Sequence, residues 1–190
     1  MKYFLVIGFG LMCIAQWYVP SSMIMEQEDL LASGTIYRFK TAPVDPNDPF
    51  RGKYITLNFE AETFVNANAH QWDGDQKVYV ILRKDKDGFA AVAEITDSLP
   101  VDDQDFFPAR VRYTDNDKVE LRFPFDRFYL EESKASAAEE TYAESNRADE
   151  GADTYAVVRI KDGKAALQDV RIGDRSIVDI VREKQGSGDE

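Results

Sequence analysis

The feature that most constrains this chain is an apolar segment at its amino terminus. From Tyr3 to Val19 the sequence contains no charged side chain and only one clearly polar residue, Gln16. A run of this length lies between a short membrane-spanning helix, which needs roughly 17–25 residues, and the apolar part of a signal peptide, which has roughly 7–15. Both interpretations place most of the chain on the far side of a membrane.

The charges that flank the apolar segment indicate its orientation. Lys2 and the amino terminus supply positive charge before the segment, whereas Glu26, Glu28 and Asp29 follow it, so the positive-inside bias places the amino terminus in the cytoplasm. We predict a signal-anchor helix with a short juxtamembrane extension over residues 1–33. The predicted location is the inner membrane, with the bulk of the chain extracytoplasmic, and a cleaved signal peptide is the alternative.

The composition of the chain excludes several classes of function. Lysine and arginine total 23 against 35 acids, which gives a formal charge of −12 and argues against a nucleic-acid partner, because binding phosphates needs a basic surface. One cysteine and one histidine exclude a disulfide framework and a zinc site built from Cys and His ligands. We therefore predict neither a cofactor nor a metal site.

Beyond Gly34 the sequence pattern changes to short runs of alternating apolar and polar residues, separated by turn residues, which is typical of antiparallel sheet. Three pairs of these runs flank turns rich in Asp, Asn and Gly and are predicted hairpins. The predicted fold is mainly β (α+β), an antiparallel sheet or partly open barrel with one inserted helix, preceded by the amino-terminal membrane helix. The predicted strands are Thr35–Thr41, Lys53–Phe59, Val78–Lys84, Phe89–Thr96, Ala109–Tyr113, Lys118–Phe123, Thr154–Ile160 and Ala165–Ile172.

The inserted helix and the carboxy-terminal tail complete the predicted organisation. Ala138 and Tyr142 recur at helical spacing in an Ala- and Glu-rich stretch, which predicts a largely solvated, acidic helix over about residues 131–147. We place the extracytoplasmic β-rich domain at residues 34–182. The polar end of the chain, residues 183–190, is predicted to be a disordered tail.

Two further functions are alternatives to a binding role. Ser22, which follows the apolar segment, together with Lys77 or Lys84, faintly resembles the serine/lysine dyad of type I signal peptidases, and paired carboxylates are a second route to an envelope hydrolase. Acidic loops that bind a small ligand or a cation are the other alternative, although turn chemistry explains the same residues. We assign no catalytic residue and favour a non-enzymatic role.

One segment resembles the defining motif of the GDYXXLXY proteins, a bacterial family. Gly52, Tyr54 and Leu57 match the motif, while Lys53 stands where the family name has Asp and Phe59 where it has Tyr. The Asp-Pro-x-Asp-Pro-Phe-Arg run that precedes the motif matches as well. A later stretch looks like the family's aromatic segment, and here it reads Pro124-Phe125-Asp126-Arg127-Phe128-Tyr129-Leu130-Glu131-Glu132.

The resemblance implies a membrane-anchored protein that is often encoded beside, or fused to, a multi-pass membrane protein, and it implies no specific activity. We therefore expect an accessory or interaction module at the cell envelope, with a multi-pass membrane protein as its partner. Tyr54 and Leu57 are expected on opposite faces of one strand. The candidate interaction residues are Asp45, Asp48, Arg51, Gly52, Tyr54, Leu57, Arg127 and Phe128.

Overall fold

The computed structural model of the chain describes residues 2–42, 54–65, 71–101, 104–130, 138, 141–142 and 154–186. Its long helices are α1 (Lys2–Ser33) and α2 (Ile177–Gly186), and a short 3₁₀ helix covers Glu60–Glu62. The strands are β1 (Thr35–Lys40), β2 (Tyr54–Thr56), β3 (Thr63–Val65), β4 (Lys77–Lys84), β5 (Ala90–Thr96), β6 (Phe106–Asp115), β7 (Lys118–Arg122), β8 (Arg127–Tyr129), β9 (Thr154–Lys161), β10 (Lys164–Ile172) and β11 (Arg175–Ser176).

The strands form three antiparallel sheets that curve around one core. The strand orders are β1-β9-β10-β11, β3-β7-β6-β4-β5 and the pair β2-β8. Strand β1 contacts β5 across the gap between the two larger sheets, so the body is a nearly closed barrel. The prediction of a mainly antiparallel β fold preceded by an amino-terminal helix is confirmed.

Local turn chemistry explains the three predicted hairpins, which all form as β4–β5, β6–β7 and β9–β10. Each turn contains a residue with positive φ, at 80° for Gly88, 52° for Asn116 and 73° for Gly163. In the first turn the Asp85 carboxylate also accepts the backbone N–H of Phe89 at 2.8 Å. Short polar side chains and glycine are the residues that such turns require, so these turns set the register of the strands.

A cluster of phenylalanines fills the centre of the barrel. Its rings lie 5.0 to 6.2 Å apart between centroids, most of them in edge-to-face or tilted contacts, which is the arrangement that aromatic rings prefer. The rings come from β1, β6 and the segments that follow β2 and β7. Its members are Phe39, Phe59, Phe107, Phe123 and Phe125, all buried.

Helix α2 corrects the predicted carboxy-terminal boundary. The predicted tail begins at Glu183, but the helix continues to Gly186, so the first residues of that tail are helical. The side chains of Ile177 and Val181, one helical turn apart, are fully buried in the core and hold the helix against the sheet. Residues 187–190 lie outside the described part of the chain.

The predicted inserted helix is described at three positions. Ala138, Thr141 and Tyr142 are helical, as the spacing predicts, and the rest of residues 131–147 lies outside the described residues. The expectation of a largely solvated helix is wrong at these positions, because Ala138 and Tyr142 are buried in the main core. The many acids of this stretch gave no indication in the sequence that these positions are buried.

Helix α1 is long and apolar enough to cross a membrane, and no part of its apolar stretch is buried inside the protein. A membrane anchor and a signal sequence both have this length and composition. Large apolar side chains along it, including Trp17 and Ile14, are mostly exposed. This exposed apolar surface fits either of these two kinds of segment.

The far end of α1 is attached to the domain by charged contacts with the β9–β10 turn. The Lys161 Nζ atom lies 2.6 Å from the Asp29 carboxylate, and the Lys164 Nζ atom lies 2.5 Å from the Glu26 carboxylate. Leu30, only 4% exposed, adds one apolar contact at the same place. These contacts set the orientation of the barrel relative to the helix.

Gly34 allows the chain to turn from α1 directly into β1. A Cβ atom at this position would lie 2.6 Å from the Leu30 carbonyl oxygen, which is closer than real Cβ atoms approach a backbone atom. The Gly34 N–H donates to the same oxygen at 2.9 Å, and its own carbonyl accepts a hydrogen bond from Arg159 at 3.0 Å. The absence of a side chain is therefore what lets helix and strand meet so tightly.

Candidate functional site

We call residues 54–59 the motif strand, although β2 itself covers only Tyr54–Thr56, so the predicted strand Lys53–Phe59 is shorter than expected. Phe59 adds only an isolated bridge to Thr41. This segment has one buried face. Ile55, Leu57 and Phe59 are all 2% exposed or less, whereas Tyr54 is half-buried on the other side. Leu57 and Tyr54 therefore differ in burial, as expected, although Leu57 lies one residue beyond the end of β2. Four of the candidate interaction residues lie outside the described part of the chain, and they are Asp45, Asp48, Arg51 and Gly52.

The two segments that carry the family resemblance pair with each other. In the β2–β8 sheet Tyr54 lies opposite Tyr129, and Thr56 lies opposite Arg127. Just past the strand, the backbone N–H of Leu57 donates to the Asp126 carbonyl at 2.8 Å. The motif and the later aromatic segment are distant in sequence, but they form one structural unit.

The outward side of this unit is a group of two tyrosines and an arginine, which we call the Tyr54–Arg127–Tyr129 face. The two tyrosine rings lie 5.5 Å apart between centroids, and the Arg127 guanidinium lies 5.0 Å from the centroid of the Tyr54 ring. A hydrogen bond between the Arg127 and Tyr129 side chains is the main influence that raises the pKa of Arg127. Tyr129 is nevertheless 65% exposed.

A buried carboxylate fastens the inner side of the same unit. Glu62 is 2% exposed, and its carboxylate accepts the backbone N–H of Phe59 at 3.1 Å and that of Phe123 at 3.4 Å. Burial raises the pKa of the Glu62 carboxyl, and the two hydrogen bonds partly oppose that shift. Glu62 therefore ties the end of the motif strand to Phe123, the residue that directly precedes the aromatic segment.

Two residues of the site, Glu62 and Tyr129, were not predicted from the sequence. Glu62 follows Glu60 in a chain rich in acids, and no sequence signal separates a buried glutamate from an exposed one. Tyr129 belongs to the aromatic segment, but only its pairing with Tyr54 shows that it lies beside the motif. Phe128, the remaining candidate, is partly buried against the core and supports the face from below.

The chemistry available at this face is recognition through stacking and charge. The tyrosine rings offer apolar area with polar tips, and Arg127 offers a planar fork of N–H donors that suits a carboxylate. Arg127 lies 3.9 Å from the Asp126 carboxylate, the outer limit of an ion pair, and both groups are solvent-accessible. A partner carboxylate can therefore compete for the guanidinium.

The residues of the alternative hydrolase are placed as follows. The Ser22 hydroxyl lies within α1 and donates to the Val19 carbonyl at 2.9 Å. The Nζ atoms of Lys77 and Lys84 lie 5.1 and 5.2 Å from the centroids of tyrosine rings in the barrel. In the part of the chain that the structure describes, no group of three or more His, Cys, Asp or Glu side chains is placed to hold a metal ion.

Comparison with known proteins gives one match. The family model described as GDYXXLXY protein matches residues 16–170 of the chain. The matched part begins inside α1 and ends inside β10, so it contains both β2 and β8 but neither β11 nor α2. No curated protein and no solved structure matches the chain.

Proposed function

Because the chain belongs to the GDYXXLXY protein family, we propose that it is a membrane-anchored, extracytoplasmic accessory module that binds a multi-pass membrane protein. The Tyr54–Arg127–Tyr129 face is its docking surface. One observation carries the proposal: the two family segments come together in a small sheet that exposes an aromatic and cationic face above a tightly packed base.

The composition of this face suits protein recognition. Tyrosine and arginine are enriched among the residues that contribute most to protein–protein binding, because they bury large areas and still form hydrogen bonds. Arg127 is a local cation on a chain of net charge −12. The expected partner surface is therefore a loop that presents a carboxylate and an apolar side chain to this face.

The base of the face supports binding without rearrangement. The Glu62 carboxylate connects Phe59, which follows β2, with Phe123, which precedes β8. Leu57 and Phe59 are buried in the core and anchor the motif strand there. A surface held in this way loses little conformational entropy when a partner binds. This rigidity distinguishes it from exposed side chains on loops.

The choice of a membrane partner is supported by α1 and by the family. The helix has an apolar surface that the rest of the chain leaves uncovered, which suits contact with lipid or with the helices of another membrane protein. The resemblance described above implies a multi-pass protein encoded nearby. Contacts of Lys161 and Lys164 with α1 hold the barrel close to the end of that helix.

Affinity purification of the full-length protein from native membranes in mild detergent tests this function. We expect recovery of a multi-pass membrane protein in stoichiometric amount, and we expect Tyr129→Ala to reduce that recovery at least tenfold. Tyr113→Ala is the matched control, because Tyr113 is 56% exposed on β6, outside the face. Equal recovery with both variants, or no membrane protein with the wild type, contradicts the proposal.

A further inference from the structure

A second surface feature lies apart from the docking face. A groove of about 490 Å³ opens between β1, the β4–β5 turn and the β10–β11 turn, a size within the range of small-molecule sites. It lies at the end of β1 away from α1. The side chains that line it include two cations, two carboxylates and two aromatic rings, namely Arg38, Lys40, Asp87, Asp174, Phe89 and Tyr155.

An aromatic platform holds Arg38 in this groove. Its guanidinium carbon lies 5.7 Å from the centroid of the Phe89 ring and 5.9 Å from that of Tyr155. The two rings are buried and contact each other edge to face at 5.7 Å, so the platform is fixed. Both distances are within the range of cation–π attraction, which leaves the N–H groups of the guanidinium able to donate.

Arg38 is poised to receive an anionic group. Within the described part of the chain, no carboxylate forms an ion pair with its guanidinium, although Arg38 shares the lining of this groove with Asp87 and Asp174. The Nζ atom of Lys40 lies 4.6 Å from the Phe89 centroid and adds a second positive charge on the same strand. A carboxylate or a phosphate matches the fork of an arginine placed in this way.

The two carboxylates of the groove limit the charge that a bound ligand can carry. Asp87 comes from the β4–β5 turn and Asp174 from the β10–β11 turn, while both cations come from β1. A ligand that carried only negative charge would meet repulsion from these aspartates, and one that carried only positive charge would meet repulsion from β1. A ligand with one anionic and one ammonium group satisfies both sides.

We infer that this groove binds a small zwitterion, an amino acid or a short peptide with free termini. Its carboxylate accepts hydrogen bonds from Arg38, and its ammonium group lies toward Asp87 and Asp174. This inference does not depend on the partner proposed above, because the groove and the Tyr54–Arg127–Tyr129 face share no residue. An experiment that contradicts one of the two proposals therefore leaves the other unaffected.

Isothermal titration of the full-length protein in detergent with trialanine tests the inference. We expect saturable binding that weakens at least tenfold when the peptide is amino-acetylated, and likewise when it is carboxy-amidated, since each change removes a charge-assisted contact. Inorganic phosphate and glycerophosphoethanolamine are the comparison probes. Tighter binding of either one than of trialanine, or no binding of trialanine, overturns the inference.

Substitutions at groove residues test whether trialanine binds in the groove. Arg38→Gln and Asp174→Asn are each expected to weaken trialanine binding at least tenfold. Two variants on different walls of the groove are used so that the test still stands if one of them does not fold. Arg122→Gln is the matched control, because Arg122 is an exposed arginine on β7 and does not line the groove. Unchanged binding in both groove variants, with thermal unfolding like that of the wild type, overturns the assignment of this site.

Discussion

Two junctions connect distant parts of this chain, and they are built from different kinds of contact. The β2–β8 junction joins the motif strand to the aromatic segment through buried phenylalanines and the buried Glu62 carboxylate. The helix–domain junction joins α1 to the β9–β10 turn through Lys161 and Lys164, whose partners are exposed acids. One junction excludes water, and the other is mostly exposed to it.

The difference assigns separate roles to the two junctions. Burial of aromatic rings is the main source of folding free energy, so the β2–β8 junction determines whether the barrel forms. Exposed ion pairs contribute little to stability and are screened by salt, so the helix–domain junction sets an orientation without holding the fold together. Substitutions at the buried junction should therefore destabilise the fold more than substitutions at the exposed one.

Removal of one central ring tests the buried junction most severely. Phe123→Ala leaves a cavity among Phe39, Phe59, Phe107 and Phe125, and we expect a loss of about 3–5 kcal/mol in the free energy of unfolding. Urea denaturation monitored by tryptophan fluorescence measures this loss. A loss below about 1 kcal/mol would show that the cluster does not dominate the stability of the barrel.

Glu62→Gln tests the carboxylate that ties the two segments together. Glutamine has one oxygen acceptor, so one of the two backbone N–H groups that Glu62 now satisfies loses its partner, at a cost of about 1–3 kcal/mol. Ionisation of the buried glutamate opposes this effect near neutral pH. Near neutral pH, Glu62→Gln therefore lowers the free energy of unfolding by less than Phe123→Ala does.

The same substitution predicts a pH dependence of known sign. Burial raises the pKa of Glu62 in the folded state above its ordinary value of 4.5, so its contribution to stability is fully present below that value and is lost as pH rises through the folded-state pKa. The stability advantage of the wild type over Glu62→Gln is therefore larger at pH 4.5 than at pH 7.5. Glu60→Gln, at an exposed position, is the control and is expected to show no such trend.

Lys161→Ala combined with Lys164→Ala tests the exposed junction and has the smallest expected effect on stability. We expect a change in the urea midpoint below that of Glu62→Gln, and we expect it to shrink in 1 M salt, where the screening length falls to about 3 Å. A loss of stability as large as that of Phe123→Ala, or one that is insensitive to salt, contradicts the division between the two junctions.

Local sequence signals predicted the parts of the fold that depend on neighbouring residues. The three hairpins were predicted because Asp, Asn and Gly in their turns favour positive φ, and the alternation at Ile55, Leu57 and Phe59 predicted one buried face. Strand β8 was missed because three residues are too few to show a period. Its pairing with β2 joins residues that are distant in sequence, and no local pattern encodes such a contact.

The same limit applies to the candidate site. The resemblance named both family segments, but it contained nothing about their mutual register, so Tyr129 could be placed beside Tyr54 only once the sheet was known. Helix α2 was missed because it has only ten residues and begins directly after the two-residue strand β11. Burial of Ile177 and Val181, which depends on the whole barrel, is what stabilises it.

Site-specific photocrosslinking in native membranes tests whether the Tyr54–Arg127–Tyr129 face contacts a multi-pass membrane protein. A photoreactive amino acid is placed at position 129 in the full-length protein, with the same group at position 113 as the control, because both tyrosines are exposed. We expect one dominant adduct with a multi-pass membrane protein at position 129 and none at position 113. The same adducts at both positions, or no adduct at position 129, would contradict the docking surface proposed here.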